Sequence, residues 1–148
     1  MEGPRSPVRP LSTLALLLVA ACVGCSSIPL GAAAHAGRYE LRSVDGRKLP
    51  DERLGGAIAG ELVLTADGRA TRVVQHASSG VPGPIVRRAS GTYRVRDAEI
   101  TFDFEEKLRP SGTRRWNVRG EARPPTIILR YPGPADRVVE EVYVRVRA

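Results

Sequence analysis

From Gly37 onward, apolar and polar residues take turns along the chain with a period of two. Tyr39, Leu41 and Ser43 alternate with Arg38, Glu40 and Arg42, Leu62 and Leu64 with Glu61, Val63 and Thr65, and Ile100, Phe102 and Phe104 with Glu99, Thr101, Asp103 and Glu105. Successive side chains of a strand point to opposite faces, so this pattern predicts strands with one face buried and one wetted. It recurs at Tyr93 and Val95, at Trp116 and Val118, and at Ile127 and Leu129. The last run sets Val142, Val144 and Val146 against Glu141, Tyr143, Arg145 and Arg147. Strands are expected over 38–44, 60–66, 69–77, 86–95, 99–106, 114–122, 126–131 and 137–147. No stretch asks for a long helix; the segment 49–60 is the one with room for a short helical turn.

Turn chemistry separates these runs. Asp45-Gly46 and Asp67-Gly68 are favoured hairpin pairs, since Gly accepts positive φ and Asp tolerates it, and Arg96-Asp97 fits a short reversal. Pro124-Pro125 interrupts a ladder because neither residue can donate. Short links suit neighbours that pair in sequence, which makes the fold class all-β: an antiparallel up-and-down sheet of about eight strands. Closing it into a barrel removes both exposed edges. The inward set is expected to be Tyr39, Leu41, Leu62, Leu64, Tyr93, Val95, Ile100, Phe102, Phe104, Trp116, Val118, Ile127, Leu129, Val142 and Val144. These are bulky enough to fill the interior of an eight-stranded barrel, which otherwise holds one small ligand.

The third strand is ambiguous. A two-residue Asp67-Gly68 loop pairs Leu64 with Thr71 and Leu62 with Val73, turning Val73 and Gln75 inward. A three-residue loop Ala66-Asp67-Gly68 pairs Leu64 with Ala70 and Leu62 with Arg72, turning Arg72, Val74 and His76 inward. The two-residue register is preferred because it leaves Arg72 and His76 as ordinary surface residues. In the other register both are polar groups needing partners, and an inward Arg72 that met no carboxylate would point to an anionic ligand. The candidate ligand-binding residues are therefore Arg72, His76, Tyr39, Tyr93 and Trp116.

Ahead of the barrel lies a different pattern. Arg5 and Arg9 precede an almost unbroken apolar run from Leu11 to Val23, with Ala20 and Ala21 near its end, the order of a secretory signal. The run is too short to span a bilayer, which takes roughly 20 apolar residues. Val19-Ala20-Ala21-Cys22 resembles the lipobox of bacterial lipoproteins, in which the cysteine is acylated and becomes the mature N-terminus. The resemblance implies lipid attachment at Cys22, with Cys25 as second choice. A zinc clamp would need two further ligands near these cysteines and a redox pair would need a helix start beside them; neither is visible, and no metal or cofactor is expected. Residues 1–21 read as a signal peptide, 22–36 as a lipid anchor and flexible linker, and 37–148 as the barrel domain.

The succession GRYELRSVDGRKLP, GELVLTADGRA, SGTYRVRDAEITF, a Trp strand and TIILRYPGP before a Val-rich final strand resembles the small lipocalin-like barrel domains of bacterial lipoproteins. That resemblance implies a lipocalin-like barrel and supplies no catalytic motif. Val23 after the anchor lacks the Asp that resembles an inner-membrane retention signal in enteric-type bacteria, so the analogy favours the outer membrane.

The formal charge of +7 and pI near 10.2 raise a nucleic-acid reading, with Arg87-Arg88, Arg114-Arg115, Arg145 and Arg147 as phosphate contacts. The export signal argues against it, and Glu and Asp are interspersed on the same strands, which reads as a solvated charged exterior. Enzymatic function is not expected. His76, Ser78 and Ser79 are neighbours on one strand and loop, a poor basis for a triad, and Glu105-Glu106 and Glu140-Glu141 place adjacent carboxylates on opposite faces. The expectation is a lipid-anchored envelope module whose loops 78–86, 107–113 and 131–137 meet an envelope protein. The second reading is a carrier or sensor of a small apolar or anionic ligand.

Overall fold

A computed structural model describes residues 31–53, 55–80, 82–108 and 110–147. A single helical turn, α1 (Ala32–His35), leads into β1 (Gly37–Val44), β2 (Arg47–Lys48), β3 (Ala57–Leu64), β4 (Arg69–His76), β5 (Ile85–Arg96), β6 (Glu99–Lys107), β7 (Thr113–Arg123), β8 (Thr126–Pro132), a 3₁₀ turn (Pro134–Asp136) and β9 (Val138–Arg145). β1 and β3 to β9 pair antiparallel in sequence order, and β9 returns to β1, closing an eight-stranded up-and-down barrel. β2 is a two-residue arm folded back on β1.

Alternation is the reason these segments are strands. β6 buries Ile100, Phe102, Phe104 and Glu106 and exposes Glu99, Asp103 and Lys107. The hairpins follow local chemistry: Val44 pairs with Arg47 around Asp45-Gly46, both at positive φ, which matches strand twist. Pro124-Pro125 makes the two-residue turn between β7 and β8, where no ladder donor is needed. Inward Gly91 and Gly120 let neighbouring backbone come close: a Cβ on Gly91 would fall on the Asp103 carbonyl, and one on Gly120 on that of Ile128.

Three expectations are corrected. Among its described residues, segment 49–60 holds no helical turn; its end is the first half of β3, and Leu49 and Asp51 tie the arm to Arg42 and Ala57 by backbone hydrogen bonds. Most of the flexible linker read over 22–36 lies outside the described residues; its described part, 31–36, is packed, with α1 in one end of the barrel and Ala32 fully buried. In β9 the inward residues are Glu141 and Tyr143, while Val142 and Val144 are half-buried on the outer wall. Leu41 pairs with Tyr143, and a bulge between Leu41 and Ser43 then brings Val142 opposite Ser43. The remaining inward set holds, with Val95 and Trp116 half-buried against the core.

Candidate functional site

The β3–β4 hairpin uses the three-residue loop. Leu64 pairs with Ala70 and Leu62 with Arg72, with Gly68 at φ 84° taking the left-handed position. The preferred register of the sequence reading is therefore overturned: Arg72 and Val74 are buried inside the barrel, and His76 is half-buried on the same side. The physical reason is that Arg72 finds a carboxylate. Glu141, only 1% exposed, faces it across the lumen from β9.

Arg72, Glu141, Tyr131 and Tyr143 satisfy one another, whereas the neighbouring Trp116 Nε1 is buried without a hydrogen-bond partner. Arg72 Nε donates to Glu141 Oε2 at 2.9 Å and to the Tyr143 hydroxyl at 3.1 Å. Its Nη2 donates to Glu141 Oε1 and to the Tyr131 hydroxyl, the latter at 3.3 Å. The Tyr131 and Tyr143 hydroxyls donate in turn to Glu141 Oε1 and Oε2, at 2.7 and 2.8 Å. Burial alone would neutralise Glu141, but the Arg72 charge and the hydrogen bonds from Arg72, Tyr131 and Tyr143 hold its pKa below the usual carboxylate value. Burial likewise works against the Arg72 charge, and Tyr143, Glu141 and Tyr131 more than offset it. Burial and then the Glu141 charge push the Tyr143 hydroxyl well above its ordinary pKa, which keeps it a donor.

A row of aromatic rings connects this cluster to the rest of the lumen. Tyr93 stacks on Phe102 at 6.0 Å between centroids, Phe102 on Phe104 at 5.1 Å, Phe104 meets Trp116 at 5.4 Å, and Trp116 meets Tyr131 edge-on at 5.1 Å. Arg72 lies 5.5 Å from the Trp116 ring centroid and 5.8 Å from that of Tyr131, within cation–π range. At the far end of the row the Tyr93 hydroxyl, donating to Ala32 O at 2.7 Å, and the Tyr39 hydroxyl, donating to His35 O at 2.8 Å, hold α1 as a stopper. The interior is thus occupied by the chain's own side chains from the stopper to the Arg72 cluster.

Of the residues singled out in the sequence, Arg72 and Trp116 meet at one level of the barrel, and Tyr39 and Tyr93 serve the opposite end. His76 Nδ1 stands 3.2 Å from Gly55 O, and burial, opposed by that bond and reinforced by Arg72 and Arg87, lowers its pKa. Cys22 and Cys25 lie outside the described residues. The acidic pairs split between faces as the alternation requires. Glu106 points inward to Arg87 at 2.8 Å and Glu105 outward to Arg115 at 3.1 Å, while Glu140 points outward to Arg130 at 2.9 Å and Glu141 inward to Arg72.

Glu141, Tyr131 and Tyr143 escaped the sequence reading. The available signal was parity: Glu141 and Tyr143 share one face of the last strand, and an inward Arg72 needs an inward acid. Two hollows, of about 550 and 470 Å³, are lined by outward residues such as Arg38, Glu61 and Arg88 and by the loop around Ser78, and lie against the barrel wall instead of in its lumen. Among the described residues no group of three or more His, Cys, Asp or Glu side chains is placed to hold a metal ion. No family model matches the chain, and no curated protein and no solved structure matches it.

Proposed function

We propose that this protein is a lipid-anchored envelope module, a non-catalytic barrel that presents its outer surface and loops to an envelope protein and carries nothing inside. The observation that supports this reading is the Arg72–Glu141 pair. In the register that turns Arg72 inward, an anionic ligand is called for only if the guanidinium meets no carboxylate, and here Glu141 and two tyrosines meet it. The stopper at one end and the aromatic row place the chain's own side chains where an apolar guest would sit, which supports the same reading. Support for export and anchoring comes from Arg5, Arg9, the apolar run and Val19-Ala20-Ala21-Cys22, and the lipoprotein resemblance favours the outer membrane. In this reading the described parts of loops 78–86, 107–113 and 131–137 share one end of the barrel, since each joins strands at the end opposite α1.

Two measurements test it. Native mass spectrometry of protein extracted in detergent from its native membrane should show the lipidated chain alone; a stoichiometric small molecule on the barrel would replace this reading with the carrier. Radiolabelled palmitate should enter the wild type and Cys25→Ala and be absent from Cys22→Ala. Label retained in Cys22→Ala and lost from Cys25→Ala would move the anchor, and label absent from wild type would remove it.

A further inference from the structure

The barrel is closed, yet one of its strands is paired on one side only for half its length. β7 pairs with β6 from Thr113 to Glu121, but its ladder to β8 begins only at Arg119, opposite Arg130. Continued in register, Pro132 would stand opposite Asn117, and proline has no N–H to donate. The chain then commits to a turn, with Gly133 N–H donating to Arg137 O at 2.7 Å. Thr113 to Val118 therefore form an edge with no strand paired on its β8 side.

The free groups on that edge can be assigned by parity. Ala122 N–H donates to Ala98 O, on the β6 side, so even-numbered residues of β7 turn their backbone groups to β6. Thr113, Arg115 and Asn117 then direct theirs to the open side, and all three are exposed. Six residues at about 3.3 Å each make an edge of about 20 Å, long enough for strand addition by a short extended segment.

Charge decides what could add there. Arg114, Arg115 and Arg119 lie along the edge; Arg114 stands over the Trp116 ring at 5.7 Å, and among the described residues neither Arg114 nor Arg119 has an ion-pair partner. A second copy of the same edge would bring arginines against arginines, which disfavours self-pairing. A strand bearing carboxylates is complementary. We infer that the open edge of β7 is a docking site for an extended, acidic segment of a partner protein, which joins the barrel as an added strand. This inference rests on the module reading and names its surface.

The probe is a fluorescein-labelled seven-residue peptide alternating valine and glutamate, with a valine–lysine counterpart, titrated onto the lipidated protein in detergent. Trp116, the sole tryptophan, reports from the edge itself. Saturable binding of the acidic peptide is expected, at least tenfold tighter than the basic one, with a change in Trp116 emission and slowed amide exchange at Thr113, Arg115 and Asn117. Arg115→Pro deletes an unused N–H and should weaken binding at least tenfold. Arg115→Glu, which leaves the backbone donor in place, should narrow or reverse the preference between the peptides. Equal binding of both peptides, undiminished binding to Arg115→Pro, or no binding at millimolar peptide would overturn the inference. An empty lumen in native mass spectra alongside any of these would leave the module reading standing.

Discussion

Arg72 and Glu141 show how one buried charge dictates its surroundings. A buried guanidinium is tolerable only with a carboxylate and further acceptors in reach, and for Arg72, 5% exposed, Glu141, Tyr131 and Tyr143 supply them from β8 and β9. Such a pair adds little net stability over apolar residues of the same volume, but removing one member leaves the other uncompensated. Glu141→Gln is expected to lower the unfolding free energy by about 3–5 kcal/mol. The double variant Arg72→Met with Glu141→Leu should recover much of that loss. Urea unfolding of the two variants checks this, and a double variant no more stable than Glu141→Gln would contradict the account. The sequence allows Arg72 two orientations. What selected between them was not local: either loop length around Asp67-Gly68 is chemically sound, and the carboxylate that settles the matter lies 69 residues away.

At the scale of elements, the strands were legible because each carries its own alternation, and their observed bounds fall within a few residues of those expected. Bends were not legible. Gly91 and Gly120 sit at inward positions where a neighbouring carbonyl occupies the space of a Cβ, so β5 and β7 can curl there only without a side chain. Gly91→Ala should destabilise the barrel by about 1–3 kcal/mol through this overpacking. Gly80→Ala, a loop glycine with nothing within 4 Å of an added Cβ, is the control, although its φ of +85° carries a smaller backbone penalty. Thermal melts of the pair decide the matter, and a loss for Gly91→Ala no larger than that for Gly80→Ala would contradict the packing account. The stopper α1 was equally hidden. Its sequence, AAAH, has no amphipathic period, and it is held by the Tyr39 and Tyr93 hydroxyls of strands folded elsewhere.

For the molecule as a whole, ionisation links the interior to pH. The two histidines are both shifted down in the folded state, His35 by burial and then Arg145, His76 by burial with Arg72 and Arg87 adding to it. A depressed histidine pKa means that the fold favours the neutral ring. Stability from this source is complete above the unfolded value of about 6.5 and declines as pH falls below it. Glu141 is also shifted down, so its contribution is complete above about 4.3 and is lost as pH drops further through the folded-state pKa. Melting temperature should therefore be flat from pH 8 to about 7, fall gently to about 5, and fall steeply below about 4. His76→Gln should flatten part of the first decline. A melting temperature that rises between pH 7 and 5 would falsify this linkage.

Two-residue periodicity and turn residues are local properties, carried by each short segment on its own, and they suffice to predict an all-β meander of about eight barrel strands and most of the side chains that fill it. The tertiary structure alone decided which face of β4 and β9 points inward, that Arg72 and Glu141 meet, that α1 closes one end, and that β7 keeps an open edge. Each of these depends on a register or a closure joining residues far apart in the chain, and a one-residue slip in either would reverse the side chains without altering the local pattern.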